Sequence, residues 1–156
     1  MFVIYNLVLN TGFLFGAFFS DYNKNMIQRL QNRAARIITG NFDYINVRGF
    51  ELVRQLGWQP IEKRRNYYVA SLMQKCMHGS APIHLKNDIV MNSESHEIST
   101  RASANSDVLI PTPNCELFKR SFKYQSAKIW NGLPPELKTI NDYQTFKLMY
   151  KRLYFR

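Results

Sequence analysis

Acidic residues are scarce in this chain: 11 Asp and Glu stand against 21 Lys and Arg, a formal net charge of +10 over 156 residues. Such a balance favours polyanionic partners, nucleic acid or an acidic membrane face, through the summed field and counterion release. Cysteine is scarcer still. Cys76 and Cys115 are too few for a disulfide framework and too distant for a zinc knuckle, so a reduced, intracellular protein of cytoplasm or nucleus is expected. No Asp-Asp pair occurs, and the scattered acids form no cluster that would converge on two divalent metals. Gly12, Gly16, Gly40 and Gly132 make no phosphate loop, and Ser121 and Ser126 have no histidine at a telling position. The residues present therefore lead us to expect no enzyme, no metal site and no cofactor.

What is present is apolar material: 46% of residues are hydrophobic and 14% aromatic, enough to build a core in one domain of ordinary size. The charge is unevenly spread. Tyr22 to His78 holds 10 basic and 3 acidic residues and Leu117 to Arg156 holds 9 and 2, so each block carries +7. Between them, Val90 to Glu116 sets four acids against Arg101 alone, giving −3. The organisation expected is an apolar amino-terminal segment (1–22), a basic helical segment (23–89), a polar linker with a short strand (90–117), and a second basic helical segment (118–156) packing on the first.

Phe2 to Phe19 is uncharged and mostly apolar, long enough to raise a signal peptide or membrane span. Against both, no basic residue precedes Lys24, and Asn6, Asn10 and Thr11 interrupt the run. A buried strand or helix is the preferred reading, with a membrane-anchored small basic protein as the alternative.

Downstream the periodicity predicts a mainly α fold, a small helical bundle with a loop-rich connector. Asn23 to Thr39 carries Met26, Ile27, Leu30, Ala34, Ile37 and Ile38 at helical spacing, with Gly40 as its stop. Arg29, Arg33 and Arg36 fall within roughly 60° of one another on the opposite side. A short helix over Val47 to Leu56 is expected, capped by Asn46, stopped by Gly57 and presenting Phe50, Val53 and Leu56. A third runs from Pro60 to about His78 with Ile61, Tyr68, Val69, Leu72 and Cys76 on one stripe. Arg65 sits inside that stripe, where it snorkels or pairs with a carboxylate such as Glu62, or meets a phosphate. Ala81 to Ile89 reads as a brief helix, Asn92 to Asp107 as a linker, and Val108 to Ile110 as a short strand. Phe118 to Asn131 forms a helix ended by Gly132, Pro134 and Pro135. The last helix starts at Asn141 or Asp142, buries Tyr143, Phe146, Met149, Tyr150 and Leu153, and leaves Lys147 and Lys151 toward solvent.

Three segments carry a family resemblance: Leu30-Gln-Asn-Arg-Ala-Ala-Arg-Ile-Ile-Thr-Gly40, then Leu56-Gly-Trp-Gln-Pro-Ile61, then Lys119-Arg-Ser-Phe through Ile129-Trp-Asn-Gly-Leu-Pro134. In words, order and spacing, Met26 to Arg156 resembles the carboxyl-terminal region of reverse transcriptases of jockey-like non-LTR (LINE-class) retrotransposons. The resemblance implies a thumb and post-thumb segment that helps hold template and primer, downstream of a polymerase palm. It further implies a parent activity of RNA-directed DNA synthesis with Mg as divalent metal. The family's metal-binding aspartates lie upstream in a Tyr/Phe-Ala-Asp-Asp motif with no counterpart here. The amino-terminal run also departs from the family's pattern, which places Tyr-Cys and Trp before the arginine helix. A fragment or decayed copy is expected.

The candidate nucleic-acid-binding residues are Arg29, Arg33 and Arg36, Lys63 and Arg64, and Lys119, Arg120 and Lys123, able to meet successive phosphates of RNA or an RNA–DNA hybrid. Tyr67, Tyr124 or Trp130 would stack on bases if exposed. The plainer alternative is that such charges merely solvate a face while the aromatics form the core, to which Trp58 and Trp130 are assigned. Two further constellations are weak. Cys76-Met-His78 with His84 has no fourth zinc ligand at suitable spacing. Glu136-Leu-Lys138 resembles half of a nuclease motif, but in a turn after two prolines.

Overall fold

Helix boundaries in this chain are written by caps. In the computed structural model, which describes residues 20–92 and 106–155, the Ser20 hydroxyl accepts from the Asn23 amide at 3.3 Å and starts α1 (Asp21–Thr39). Gly40, at φ 64°, ends it in the left-handed conformation that costs glycine no steric strain. Gly57 does the same after α2 (Gly49–Gln55), at φ 68°. Pro60 precedes α3 (Ile61–Met77) and Pro82 precedes α4 (Ile83–Asn87). The expected helix over 118–131 is split into α5 (Glu116–Lys119) and α6 (Phe122–Asn131). Ser121 turns out of the helix to accept from the Tyr124 amide at 3.3 Å. Pro135 begins a short α7 (Pro135–Lys138) rather than only ending what precedes it. Asp142 caps α8 (Tyr143–Tyr154), its Oδ2 accepting from the Thr145 amide at 2.7 Å.

The fold is mainly helical, with eight helices and no extended strand among the described residues. The strand expected at Val108–Ile110 is reduced to one antiparallel bridge between Met91 and Val108. The linker's middle and the apolar run at 2–19 lie outside the described residues. Among those described, no helix is long and apolar enough to cross a membrane.

α3 is the central element, flanked by α1, α6 and α8. That position buries far more of it than the single stripe expected: Tyr67, Val69, Ala70, Met73 and Cys76 are all inside. The main core joins Tyr67, Ala70 and Met73 of α3 to Ala127 and Trp130 of α6 and to Phe146 and Tyr150 of α8. Trp130 and Phe146 stack with centroids 6.3 Å apart. Trp130 is thus a core residue as expected, its indole N–H donating to the Ser106 carbonyl at 3.1 Å. Trp58 is half-buried and packs on a smaller core of Ala35, Leu52 and Val53. In α2, which starts two residues later than expected with Arg48 in place of Asn46 before it, Leu52 is buried beside the expected Val53, whereas Phe50 is exposed.

α1 is turned about its axis from the expected orientation, with Arg29 and Arg33 still outside. Its amphipathic stripe turns outward: Met26, Leu30, Ile37 and Ile38 are 51%, 54%, 70% and 49% exposed. The buried side is formed by Gln31, Ala35 and Arg36 instead. Polar complementarity holds that side down. Gln28 Nε2 donates to Gln31 Oε1 and Asn32 Oδ1, Gln28 Oε1 accepts from the Ile61 amide at 3.0 Å, and Gln31 donates to the Gln59 carbonyl at 3.0 Å. Gln28 and Gln31 each use both the nitrogen and the oxygen of their amides on partners, so polar groups are satisfied on that side without an apolar stripe. In α8 Phe146 and Tyr150 are buried as expected, whereas Met149 and Leu153 are exposed.

Candidate nucleic-acid interface

The eight candidate cations divide among three places. On α1, Arg29 and Arg33 are exposed and have no hydrogen-bond or ion-pair partner among the described residues. They rim an open hollow of about 440 Å³ that also reaches Met26, Leu30 and the Tyr44 ring. Arg36, the expected third rung, is only 6% exposed. Its guanidinium donates to the carbonyls of Asp43 at 2.9 Å and Val47 at 2.6 Å, with Asn41 at 3.5 Å, and it lies 4.2 Å from the Tyr44 ring centroid. The three-arginine ladder is therefore a two-rung ladder. The chain after Gly40 folds back over the end of α1 and consumes the third guanidinium as a staple.

At the start of α3, Lys63 donates to the Tyr154 carbonyl at 2.9 Å, satisfying an acceptor at the carboxyl end of α8. Arg64 faces α8 across a separate cleft shared with Tyr67, Ser71, Tyr143, Lys147 and Lys151. Around α5 and α6 the cations meet acids. Lys119 is ion-paired to Glu116, and Lys123 lies 3.7 Å from Asp88. Arg120 is half-buried within the electrostatic reach of Asp21 and Glu116. This third group is partly neutralised and makes a weaker anion surface than its sequence suggested.

Arg65 is buried, and burial holds its pKa below the ordinary arginine value. Its direct hydrogen bonds go to Asn66 Oδ1 at 3.1 and 3.3 Å, while Glu62 and Asp21 attract it from farther off. It is a satisfied core arginine. Tyr67 is likewise buried, which pushes its phenol up to about 12 and removes it as a base-stacking surface. Tyr124 is half-buried.

Cys76 is buried, which raises its thiol pKa, and His78 and His84 are exposed. Among the described residues no group of three or more His, Cys, Asp or Glu is placed to hold a metal ion. Lys138 is buried against Asp107 at 2.6 Å and the Asn131 carbonyl at 3.2 Å, locked in packing. Glu136, two residues earlier, opens α7 instead of standing on a strand.

No family model, curated protein or solved structure matches this chain. The resemblance to reverse transcriptases thus rests on its three motifs, whose residues have evident structural tasks. The first and second are bonded through Gln31 and Gln59, and Gly57 supplies the turn between α2 and α3. In the third, Asn131 both accepts from the Val108 amide at 2.9 Å and donates to the Val108 carbonyl at 2.8 Å. Sequence reading missed the gathering of Lys147 and Lys151 with Arg64 around one cleft. The available signal was the Tyr143, Lys147, Lys151 spacing of four, which puts all three on one side of α8.

Proposed function

We propose that this chain is a noncatalytic nucleic-acid-binding segment of a retrotransposon reverse transcriptase, resembling the thumb and post-thumb region of that enzyme. It grips the phosphates of template RNA or of an RNA–DNA hybrid without strong sequence readout. The observation that carries the reading is the pair of unpartnered guanidinium groups, Arg29 and Arg33, one helical turn apart above a hollow that no carboxylate lines. Arginines four residues apart stand about 6 Å from each other along the axis, close to the spacing of successive phosphates on one strand. The net charge of +10 adds long-range attraction.

The outward apolar face of α1 supports the second half of the reading. A run of Met26, Leu30, Ile37 and Ile38 at a solvent-facing position is what a segment exposes when its packing partner is elsewhere. In the parent enzyme that partner is the polymerase body, with the palm supplying the aspartates and Mg that RNA-directed synthesis requires.

Fluorescence anisotropy of a short labelled RNA–DNA hybrid across a salt series tests the proposal. Affinity should fall steeply with salt, and Arg29→Gln with Arg33→Gln should together lower the slope of log K against log salt by about two. Binding that ignores salt, or a double variant with an unchanged slope, overturns it.

A further inference from the structure

The cleft between α3 and α8 lies apart from the α1 flank and has a different chemistry. Its volume is about 380 Å³, and its lining includes Arg64, Lys147, Lys151, Tyr143 and Ser71 but no Asp or Glu. Three ammonium groups are crowded around its tyrosines. Lys75 and Lys147 both approach the Tyr143 ring, at 4.4 and 5.1 Å from its centroid, and Lys151 lies 5.5 Å from that of Tyr67. None of these lysines has a carboxylate partner among the described residues. Aromatic faces attract cations, yet they neutralise no charge, so the mutual repulsion of the ammonium groups persists.

At the buried side stands Ser71, 4% exposed. It lies close enough to Tyr67 to lower that phenol's pKa somewhat, but no hydrogen bond of normal geometry satisfies its oxygen. A buried hydroxyl in that state is uncommon and costly. Cations at the mouth, an unsatisfied hydroxyl inside and no competing carboxylate together describe an anion site. Two lysines without an acid partner suit a dianion with several oxygens better than a monocarboxylate.

We propose that this cleft binds a phosphate monoester. Lys147 and Lys151 neutralise the phosphate, the charge of Arg64 adds to the field of the cleft, Ser71 donates to one of the phosphate oxygens, and the remaining volume admits the group it esterifies. The phosphate is that of a free nucleotide or the 5′-terminal phosphate of a strand, and the same contacts serve both.

Calorimetric titration of the full chain with adenosine 5′-monophosphate, with adenosine, and with a single-stranded decanucleotide with or without its 5′ phosphate tests the site. Saturable binding of the monophosphate but not of adenosine is expected. A preference of about tenfold or more for the 5′-phosphorylated strand over the plain one would identify the strand end as a source. Equal strand affinities alongside monophosphate binding identify the free nucleotide. K147Q with K151Q should weaken monophosphate binding by about tenfold or more, and S71A by a smaller factor, with circular dichroism unchanged. Arg29→Gln with Arg33→Gln should leave monophosphate binding intact, so failure here and failure of the proposed hybrid-binding function are separable. Adenosine binding as tightly as its monophosphate, no saturable monophosphate binding, or full affinity in the folded K147Q, K151Q protein overturns the proposal.

Discussion

Lys138 places its ammonium 2.6 Å from the Asp107 carboxylate across a sequence separation of 31, with the lysine side chain 3% exposed and the aspartate 18%. The pair ties the linker at Asp107 to the end of α6 and to α7, beside the two hydrogen bonds that Asn131 makes to Val108. Removing one partner leaves the other buried and unpaired. Lys138→Met should therefore cost about 3–5 kcal/mol in urea denaturation, whereas Lys138→Met with Asp107→Leu should recover most of that loss. A single variant with wild-type stability would remove the pair's structural role.

Arg36 and its neighbours Arg29 and Arg33 should separate by phenotype. Arg36→Gln forfeits charged donors to the Asp43 and Val47 carbonyls and should lower stability by roughly 1.5–3 kcal/mol in chemical denaturation. Arg29→Gln and Arg33→Gln should each stay within about 0.5 kcal/mol of wild type and act on nucleic-acid affinity instead.

The apolar stripe of α1 should prove dispensable for stability. Leu30→Ser and Ile37→Ser should shift stability by no more than about 0.5 kcal/mol, since both side chains are more than half exposed. Ala35→Leu, on the fully buried side, should cost about 1–3 kcal/mol by overpacking. Thermal melts that rank these in the opposite order would return the stripe to the core.

Alkaline pH should unfold the protein through its tyrosines. Burial raises Tyr67 to about 12 from an ordinary 10 and pushes Tyr150 higher still. The folded state then holds protons that the unfolded chain releases. Their stabilising contribution is complete below pH 10 and is lost as pH rises from there through the folded values. Melting temperature should fall across that window, and Tyr67→Phe should flatten the fall; a flat profile from pH 10 to 12 in the wild type would contradict the burial of both phenols.

The fold class and most helix ends were legible because their signals are local. Gly40, Gly57 and Asp142 act on amides or dihedrals within a few residues, and the structure uses them as caps and turns, whereas Ser20 starts α1 two residues before the expected Asn23. Ser121 was equally local, but its hydroxyl competes with the helix it interrupts, and periodicity alone does not reveal that competition. Of the candidate site, Arg29 and Arg33 stand exposed side by side as expected. Lys119 and Lys123 have acid partners, one within α5 and one across on Asp88.

The sequence by itself determined a basic, mainly helical chain and placed Trp130 inside it. Only the tertiary structure decided which way α1 faces, that Arg36 becomes a staple, and that Lys147 and Lys151 meet Arg64 across a cleft. The physical reason is that an amphipathic pattern fixes the relative direction of two faces, not which of them has a partner. Gln28 and Gln31, by bonding to the backbone at Gln59 and Ile61, gave a third side of α1 its partner and left outside both most of the apolar stripe and the face of Arg29 and Arg33.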